Sequence, residues 1–237
     1  MKKRWFGIVP VLILSVLSVL IYNGTIQMNR PSPEAFPVRG ADVSHYQGNV
    51  DWTKLQKQGV MFAYIKATEG SSYKDSAFQA NWEGAPLAGI RGGAYHFFSF
   101  ESPGLNQAEN FIGTVSAVGN MLPPAVDVEP YGQYKTVRDI AGTASELRNW
   151  LDAVEAEYGM HPVIYTTESF YRGMIAAEFP DYDIWIRSVF RAPSKSVRWK
   201  FWQYSDRVRL DGYDGEERFI YMNAFRGTIE EFEKYGK

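Results

Sequence analysis

The sequence predicts an α/β fold, an irregular β/α barrel of about five parallel βα units followed by antiparallel strands. Short apolar runs recur along the chain with helical or loop segments between them, which is typical of alternating strands and helices. The last three runs follow one another too closely for full helices, so they are expected to pair antiparallel. Alternating βα units build a parallel sheet, and eight strands can close it into a barrel. The predicted strands cover residues 38–44, 60–67, 90–98, 125–129, 163–166, 183–188, 200–204 and 219–223.

Helices are predicted between the first strands. The clearest covers residues 143–158, where Thr143 and Glu146 have the spacing of a capping box and a stripe of apolar residues follows at helical spacing. Gly159 supplies the stop signal for this helix. Shorter helices are predicted over residues 52–58, 76–88, 105–118 and 168–177.

The first 37 residues are predicted to lie outside the barrel. Lys2-Lys3-Arg4 precede an apolar stretch over residues 6–22, and no small-x-small cleavage site follows it. This pattern favours an uncleaved signal anchor over a cleaved signal peptide. The domain is therefore expected to be exported to the periplasm or the cell exterior, membrane-anchored or, after cleavage, secreted. Residues 23–37, which contain three prolines, are predicted to be a linker, and residues 38–237 the globular domain.

Composition excludes several classes of function. The net charge is −2 and no basic block follows the N-terminus, so no nucleic-acid partner is expected. The chain has no cysteine, which rules out disulfides and a lipid anchor on cysteine. With three histidines and no close cluster of His, Cys and carboxylate residues, neither a metal site nor a cofactor is expected. The remaining length suits one domain, predicted to be a monomer.

Asp127 and Glu129 are the first candidate site residues. They end a short apolar strand, and strand side chains alternate faces, so both carboxylates point the same way, about 6–7 Å apart along the backbone. Mutual repulsion and lost hydration raise at least one pKa, which keeps a carboxyl group protonated as a general acid near neutral pH. The alternative is that these acids pair with Arg or Lys, or cap a helix.

Polar side chains also end the other early strands. Functional groups of parallel barrels lie at the carboxyl ends of their strands, so a site is predicted there. Asp42 could instead form a salt bridge with Lys66 or Arg91, and His96 could be a hydrogen-bonded strand-end residue. Trp185 is interpreted first as core and second as a platform for sugar stacking. The strand-end residues are Asp42, Lys66 with Glu69, Tyr95 with His96, Asp127 with Glu129, and Tyr165.

Five ordered motifs resemble those of the glycoside hydrolase family 25 lysozymes, which are N-acetylmuramidases. The resemblance covers residues 38–225. It implies the family's TIM-like β/α barrel, with a groove that binds the glycan strands of peptidoglycan. The motifs are residues 40–48 followed by Asp51-Trp52, residues 62–70, residues 92–97, the pair Asp127 and Glu129, and Trp202-Gln203-Tyr204.

The resemblance also implies roles for individual residues. Glu129 matches the general acid of the family, Asp127 its partner carboxylate, and Asp42 the first-strand aspartate that lines the site. The chain departs from the family at Tyr221, where an aspartate is common, which leaves three site carboxylates instead of four. The candidate substrate-binding residues are Tyr64, Lys66, Glu69, Tyr95, His96, Tyr165, Trp185, Gln203 and Tyr221.

The predicted activity is hydrolysis of the β-1,4 bond between N-acetylmuramic acid and N-acetylglucosamine in peptidoglycan. Asp127 could act as a nucleophile, as an inverting base, or as the group that orients a substrate 2-acetamido group, and its spacing from Glu129 favours the third role. Two other functions stay open: a non-catalytic peptidoglycan-binding protein with a decayed site, and a hydrolase of chitin-like oligosaccharides.

Overall fold

The computed structural model describes residues 5–132, 134 and 139–237. All eight predicted strands are present in it, and their apolar, alternating sequences account for their formation. A ninth short strand, which was not predicted, forms a hairpin with the second. The strands are β1 Arg39–Val43, β2 Phe62–Glu69, β3 Tyr73–Lys74, β4 Arg91–Phe97, β5 Ala125–Asp127, β6 Val163–Thr167, β7 Asp183–Arg187, β8 Phe201–Val208 and β9 Ile220–Phe225.

The sheet is a closed barrel of mixed α/β type, as predicted. Its order in the described residues is β1-β2-β4-β5-β6-β7-β8-β9, and β9 pairs with β1 to close it. Within the same residues, every barrel pairing is parallel except those of β9 with β8 and β1. The predicted antiparallel pairing of β7 with β8 is therefore wrong. Residues 188–200, all described, contain no helix, yet at about a dozen residues they are long enough for a parallel crossover.

The long predicted helix begins earlier than expected. Asp139 accepts a hydrogen bond from Gly142 N at 2.8 Å and caps the helix, so the predicted capping box of Thr143 and Glu146 is wrong. Glu146 instead accepts from Gly104 N at 2.6 Å, at the start of another helix. The helices are α1 Trp5–Tyr22, α2 Trp52–Lys57, α3 Phe78–Leu87, α4 Gly104–Ile112, α5 Ile140–Tyr158, α6 Glu168–Phe170, α7 Ala176–Glu178 and α8 Ile229–Lys234, with a 3-10 turn His45–Gln47 and a π-helical turn Tyr171–Ile175.

The alternation of strand side chains divides the core into two parts. Inward-facing Phe62, Phe201 and Phe225 pack together at the amino-terminal end of the parallel strands. Above them, the ring of Tyr64 stacks on Trp185 with centroids 4.7 Å apart. Side chains of the opposite parity pack outward against the helices. Because apolar groups fill the lower interior, the polar strand-end residues are left at the carboxyl end.

The segment that precedes the barrel includes the predicted apolar stretch. Residues 6–22 lie within α1, and Lys2-Lys3-Arg4 lie outside the described residues. Within the part of the chain that the structure describes, no helix is long and apolar enough to cross a membrane.

The predicted linker contacts the barrel wall. Asn29 donates from Nδ2 to the carbonyl of Ser188 at 3.0 Å and to that of Arg191 at 2.9 Å. Phe36 packs edge-on against Trp202, with ring centroids 5.7 Å apart. The segment therefore fixes the start of the connection between β7 and β8.

Candidate active site

A buried hydrogen-bond network crosses the carboxyl end of the barrel interior. Oδ2 of Asp42 accepts from Nε2 of Gln203 at 3.0 Å and from Nδ2 of Asn223 at 2.8 Å. The Oε1 atom of Gln203 accepts from the hydroxyl of Tyr165 at 3.0 Å. The Oδ1 atom of Asn223 accepts from Nε1 of Trp185 at 2.7 Å. All five side chains are buried, so the network fixes the carboxylate of Asp42 in one position.

Burial and hydrogen bonding act in opposite directions on Asp42. The amides of Gln203 and Asn223 favour the ionised carboxylate, but desolvation outweighs them and raises the pKa of Asp42 to about 6. The predicted alternative of a salt bridge from Asp42 to Lys66 or Arg91 is not what the structure shows. Lys66 donates to Glu69 at 2.7 Å, and Arg91 donates to backbone carbonyls such as that of Phe232.

Asp127 is the last residue of β5, and Glu129 lies two residues beyond it. Asp127 is buried, and its Oδ1 atom has no hydrogen-bond partner among the described residues. Desolvation, with the nearby charge of Glu129, raises the pKa of Asp127 well above its ordinary value. Burial also raises the pKa of Glu129, a half-buried group. The raised pKa values favour a proton shared between these two carboxyls, and a protonated carboxyl is what general acid catalysis requires.

Arg187 lies at the same level of the barrel as Glu129. Asp127 is aligned with Tyr165 and Thr167 with Arg187, so a residue two beyond Asp127 is level with the end of β7. The guanidinium group lowers the pKa of Glu129 and so opposes the effect of burial. Sequence reasoning missed Arg187, although it lies near the end of the sixth predicted strand, residues 183–188, and shares the inward parity of Trp185.

Asp206 is a fourth carboxylate near the site. It accepts from Nη2 of Arg187 at 2.7 Å, and its negative charge contributes to the raised pKa of Asp42. Tyr221 lies opposite Asp42 in the β1–β9 register. Burial and the charge of Asp42 raise the pKa of Tyr221 to about 12, so its phenol stays protonated and can donate a hydrogen bond. A neutral donor therefore occupies the position where the resemblance leads one to expect an aspartate.

A pocket of about 190 Å³ opens at this end of the barrel. It joins strand-end residues from five barrel strands with residues of the loops that follow β1 and precede β9. Burial raises the pKa of Tyr95 in its wall well above the ordinary value, so this phenol is protonated too. The described residues contain no group of three or more His, Cys, Asp or Glu that could hold a metal ion. The pocket is lined by Asp42, Val43, Ser44, Tyr46, Gln47, Lys66, Tyr95, Phe97, Asp127, Glu217 and Tyr221.

Comparison with known proteins shows the family. The model of the glycosyl hydrolases family 25 matches residues 41–213, which include Asp42, Asp127, Glu129 and Gln203. The chain belongs to glycosyl hydrolase family 25. It is therefore a glycoside hydrolase of the lysozyme type, and its barrel is the fold of that family.

Relatives of this family 25 enzyme cover most of the chain. Lysozyme M1 of Streptomyces globisporus is 37% identical over 207 residues, which cover 81% of this chain and 68% of that protein. An uncharacterised protein of Escherichia coli K12, YegX, is 35% identical over 214 residues, covering 86% and 75% of the two chains. The structure of a family 25 glycosyl hydrolase from Bacillus anthracis superposes with a TM-score of 0.83 at 43% identity, covering 88% of this chain and 97% of that one.

Two predicted substrate-binding residues of the family 25 enzyme lie deeper than expected. Tyr64 has the inward parity of Lys66 but lies one layer below it, is fully buried, and donates to the carbonyl of Pro123 at 3.2 Å. Trp185 is buried beside it and donates to Asn223. The structure therefore places both rings in the barrel core, where neither lines the pocket. This corrects the predicted substrate contact of Tyr64 and confirms the first interpretation of Trp185, as a core residue.

His96 faces away from the pocket. Strand neighbours point to opposite sides, so when Tyr95 faces inward His96 faces the helices. Its Nδ1 atom lies 2.7 Å from Oγ1 of Thr68 and its Nε2 atom 3.0 Å from Oε1 of Gln107. Burial lowers the pKa of His96 to about 4, so the ring is neutral at physiological pH. The prediction of a substrate contact is corrected to a structural role, the alternative that its strand-end position had suggested.

Proposed function

We propose that this family 25 enzyme is a muramidase that hydrolyses the β-1,4 bond between N-acetylmuramic acid and N-acetylglucosamine in peptidoglycan. The observation that carries the proposal is the pair Asp127 and Glu129, two carboxyls of raised pKa at the carboxyl end of β5, where Asp127 lines the pocket. A relative named as a lysozyme supports the choice of substrate. Because peptidoglycan lies outside the cytoplasmic membrane, the domain acts in the periplasm or outside the cell.

Glu129 is the proton donor in this proposal. It is half-buried, so its carboxyl can reach the oxygen of a bound glycosidic bond, while burial raises its pKa and favours the protonated form. Arg187 reduces this rise in the pKa of Glu129, because its positive charge favours the ionised carboxylate. Glu129 can therefore release the proton to the leaving group and later accept one from water.

Asp127 is the partner carboxylate. Asp127 is the more buried of the two and has the stronger rise in pKa, and its Oδ1 atom has no hydrogen-bond partner among the described residues. An N–H donated to this oxygen favours the ionised form of Asp127 and so leaves the proton on Glu129. The N–H of a substrate 2-acetamido group is a donor of the right kind. With that N–H held by Asp127, the acetamido oxygen attacks the anomeric carbon as Glu129 protonates the leaving oxygen. Water activated by Glu129 then opens the cyclic intermediate and restores the acetamido group.

Asp42 contributes a fixed negative charge to the same site. Its contacts with Gln203 and Asn223 prevent it from moving towards the substrate, so we assign it an electrostatic and positioning role. Above pH 6 its charge stabilises positive charge that develops at the anomeric carbon. Tyr95, Tyr165 and Gln203 complete the polar wall around it, and Tyr221 supplies a neutral donor.

The proposal is tested by digestion of purified peptidoglycan with the full chain. The products are reduced and identified by mass spectrometry. Wild type is expected to give fragments that end in reduced N-acetylmuramic acid, and Glu129→Gln to lose at least a hundredfold in rate, because a general acid contributes about that much or more. Glu157→Gln, an exposed glutamate on α5, is the matched control and should cleave like wild type.

Three results would contradict parts of this proposal. Fragments that end in reduced N-acetylglucosamine would keep a glycosidase but overturn the bond assignment. Cleavage of chitin oligomers in preference to peptidoglycan would overturn the substrate. If folded wild type binds peptidoglycan but gives no product, the protein is a peptidoglycan-binding protein, and Tyr221 has impaired its catalytic site.

A further inference from the structure

Two exposed tyrosines lie beside the pocket at the carboxyl end of the barrel. Tyr46 is 54% exposed and Tyr73 is 42% exposed. Both pack against one histidine: the ring centroid of His45 lies 4.1 Å from that of Tyr46 and 6.3 Å from that of Tyr73. Tyr46 also lines the pocket that contains Asp127. Aromatic rings that are clustered and left in water at the edge of a polar pocket mark a surface that a ligand covers.

His45, which lies between the two tyrosines, is held in place by Asp75. Its Nδ1 atom lies 2.7 Å from Oδ2 of Asp75, and the backbone N of His45 donates to the same oxygen at 3.1 Å. Asp75 is buried, and its Oδ1 atom accepts from Ala77 N at 3.0 Å. The contact of Nδ1 with Asp75 therefore fixes the orientation of the ring against which the two tyrosines pack.

Tyr73 is held by the short hairpin of β2 and β3. Tyr73 pairs with Glu69 in that hairpin. Asn110 of α4 donates from Nδ2 to the carbonyls of Gly70 at 3.0 Å and of Tyr73 at 3.1 Å. The Nζ atom of Lys66 lies 5.5 Å from the centroid of the Tyr73 ring. The tyrosine is thus fixed before any ligand arrives, which lowers the conformational entropy that binding would cost.

We propose that Tyr46, His45 and Tyr73 form a saccharide subsite that holds an N-acetylhexosamine residue of the glycan next to the sugars in the cleavage pocket. The inference rests on the proposed function, because it assumes a glycan chain that extends beyond the pocket. Sugar rings present C–H faces that stack on aromatic rings, and their hydroxyl and acetamido groups pair with polar neighbours. The ion pair of Lys66 and Glu69, between pocket and hairpin, offers such neighbours.

The test measures binding without turnover. In the full chain with Glu129→Gln, calorimetry determines the Kd of a peptidoglycan tetrasaccharide, two alternating repeats of N-acetylglucosamine and N-acetylmuramic acid. Tyr46→Ala and Tyr73→Ala are each expected to raise the Kd about five- to tenfold, the range of a lost aromatic contact. Tyr46→Phe should keep the Kd near that of the parent, because stacking needs the ring and not the hydroxyl. The hydroxyl of Tyr73 lies 3.3 Å from Nδ1 of His45, so the conservative variant is made at Tyr46.

A matched control lies at the other end of the barrel. The ring of Tyr182, just before β7, stacks on His161 with centroids 4.0 Å apart, and Glu155 lies 2.7 Å from that histidine. Tyr182→Ala therefore removes a tyrosine from a similar His–carboxylate cluster and should leave the Kd unchanged. Equal Kd values for the parent, Tyr46→Ala and Tyr73→Ala would overturn the subsite, even if wild type cleaves peptidoglycan. Weakened binding in these two variants, with no cleavage by wild type, would keep the subsite and reject the muramidase.

Discussion

Gln203 donates from Nε2 to Oδ2 of Asp42 at 3.0 Å, yet this contact does not keep Asp42 fully ionised. Desolvation raises the pKa of Asp42 to about 6, compared with 3.8 for an exposed aspartate. A buried carboxylate that is hydrogen-bonded only to neutral amides therefore carries its charge at a cost in stability. The enzyme keeps this charge at the position where the site is proposed to stabilise positive charge on the sugar.

The first prediction concerns the pH dependence of stability. Asp42 binds its proton more tightly in the folded chain than in the unfolded chain, so its stabilising contribution is complete below the unfolded pKa and is lost as the pH rises through 6. His96 acts in the opposite direction, because its pKa is lowered to about 4 and the unfolded chain takes up protons below about pH 6.5. The two effects must be separated by a variant.

Asp42→Asn provides that separation. As the pH falls from 8 to 5, the unfolding free energy of wild type relative to Asp42→Asn is expected to increase by about 1–2 kcal/mol. Urea denaturation at each pH measures this difference. A difference that stays constant across this range would show that the pKa of Asp42 is not raised by folding.

The second prediction concerns Arg187, whose charge lowers the pKa of Glu129. Arg187→Met removes the cation and leaves Asp206 without this partner, and both changes favour the protonated form of Glu129. The alkaline limb of the pH profile of kcat/KM, where the general acid loses its proton, should therefore move to higher pH by roughly half a unit or more.

Arg148→Met is the control for this experiment. Arg148 donates to the backbone carbonyl of Glu178 on the outer wall, so its removal should leave the pH profile unchanged. If the alkaline limb moved to lower pH in Arg187→Met, or stayed in place, Glu129 would not be the titrating acid.

The third prediction separates structure from substrate binding at His96. His96→Leu removes the ring that lies between Thr68 and Gln107 and leaves their buried polar atoms without this partner. The free energy of unfolding is expected to fall by about 2–4 kcal/mol, while KM of the folded enzyme stays that of wild type. Denaturation and initial-rate kinetics on peptidoglycan check the two parts. A raised KM with unchanged stability would contradict this prediction and show that His96 contacts the substrate.

The sequence predicted the strands and the end of the barrel that carries the site, because both depend on local alternation. The alternation of strand side chains also predicts that Tyr95 and His96 face opposite sides of the sheet, but the family motif suggested that both contact the substrate. The depth of a side chain in the barrel could not be predicted in this way. Tyr64 and Lys66 both face inward, and the packing of the neighbouring strands determines which of them reaches the pocket. The contact of Arg187 with Asp206 depends on the parallel pairing of β7 with β8. This pairing was not predicted, because the connection between the two strands contains no helix.

The stereochemistry of the first product tests the central claim most directly. If Asp127 holds the acetamido group and Glu129 protonates the leaving oxygen, two displacements occur at the anomeric carbon and its configuration is retained. Proton NMR of a fresh digest with wild-type enzyme is expected to show the β-anomer of the new reducing N-acetylmuramic acid first, with the α-anomer appearing only by mutarotation. Initial appearance of the α-anomer would contradict the account, because it would require a single displacement by water.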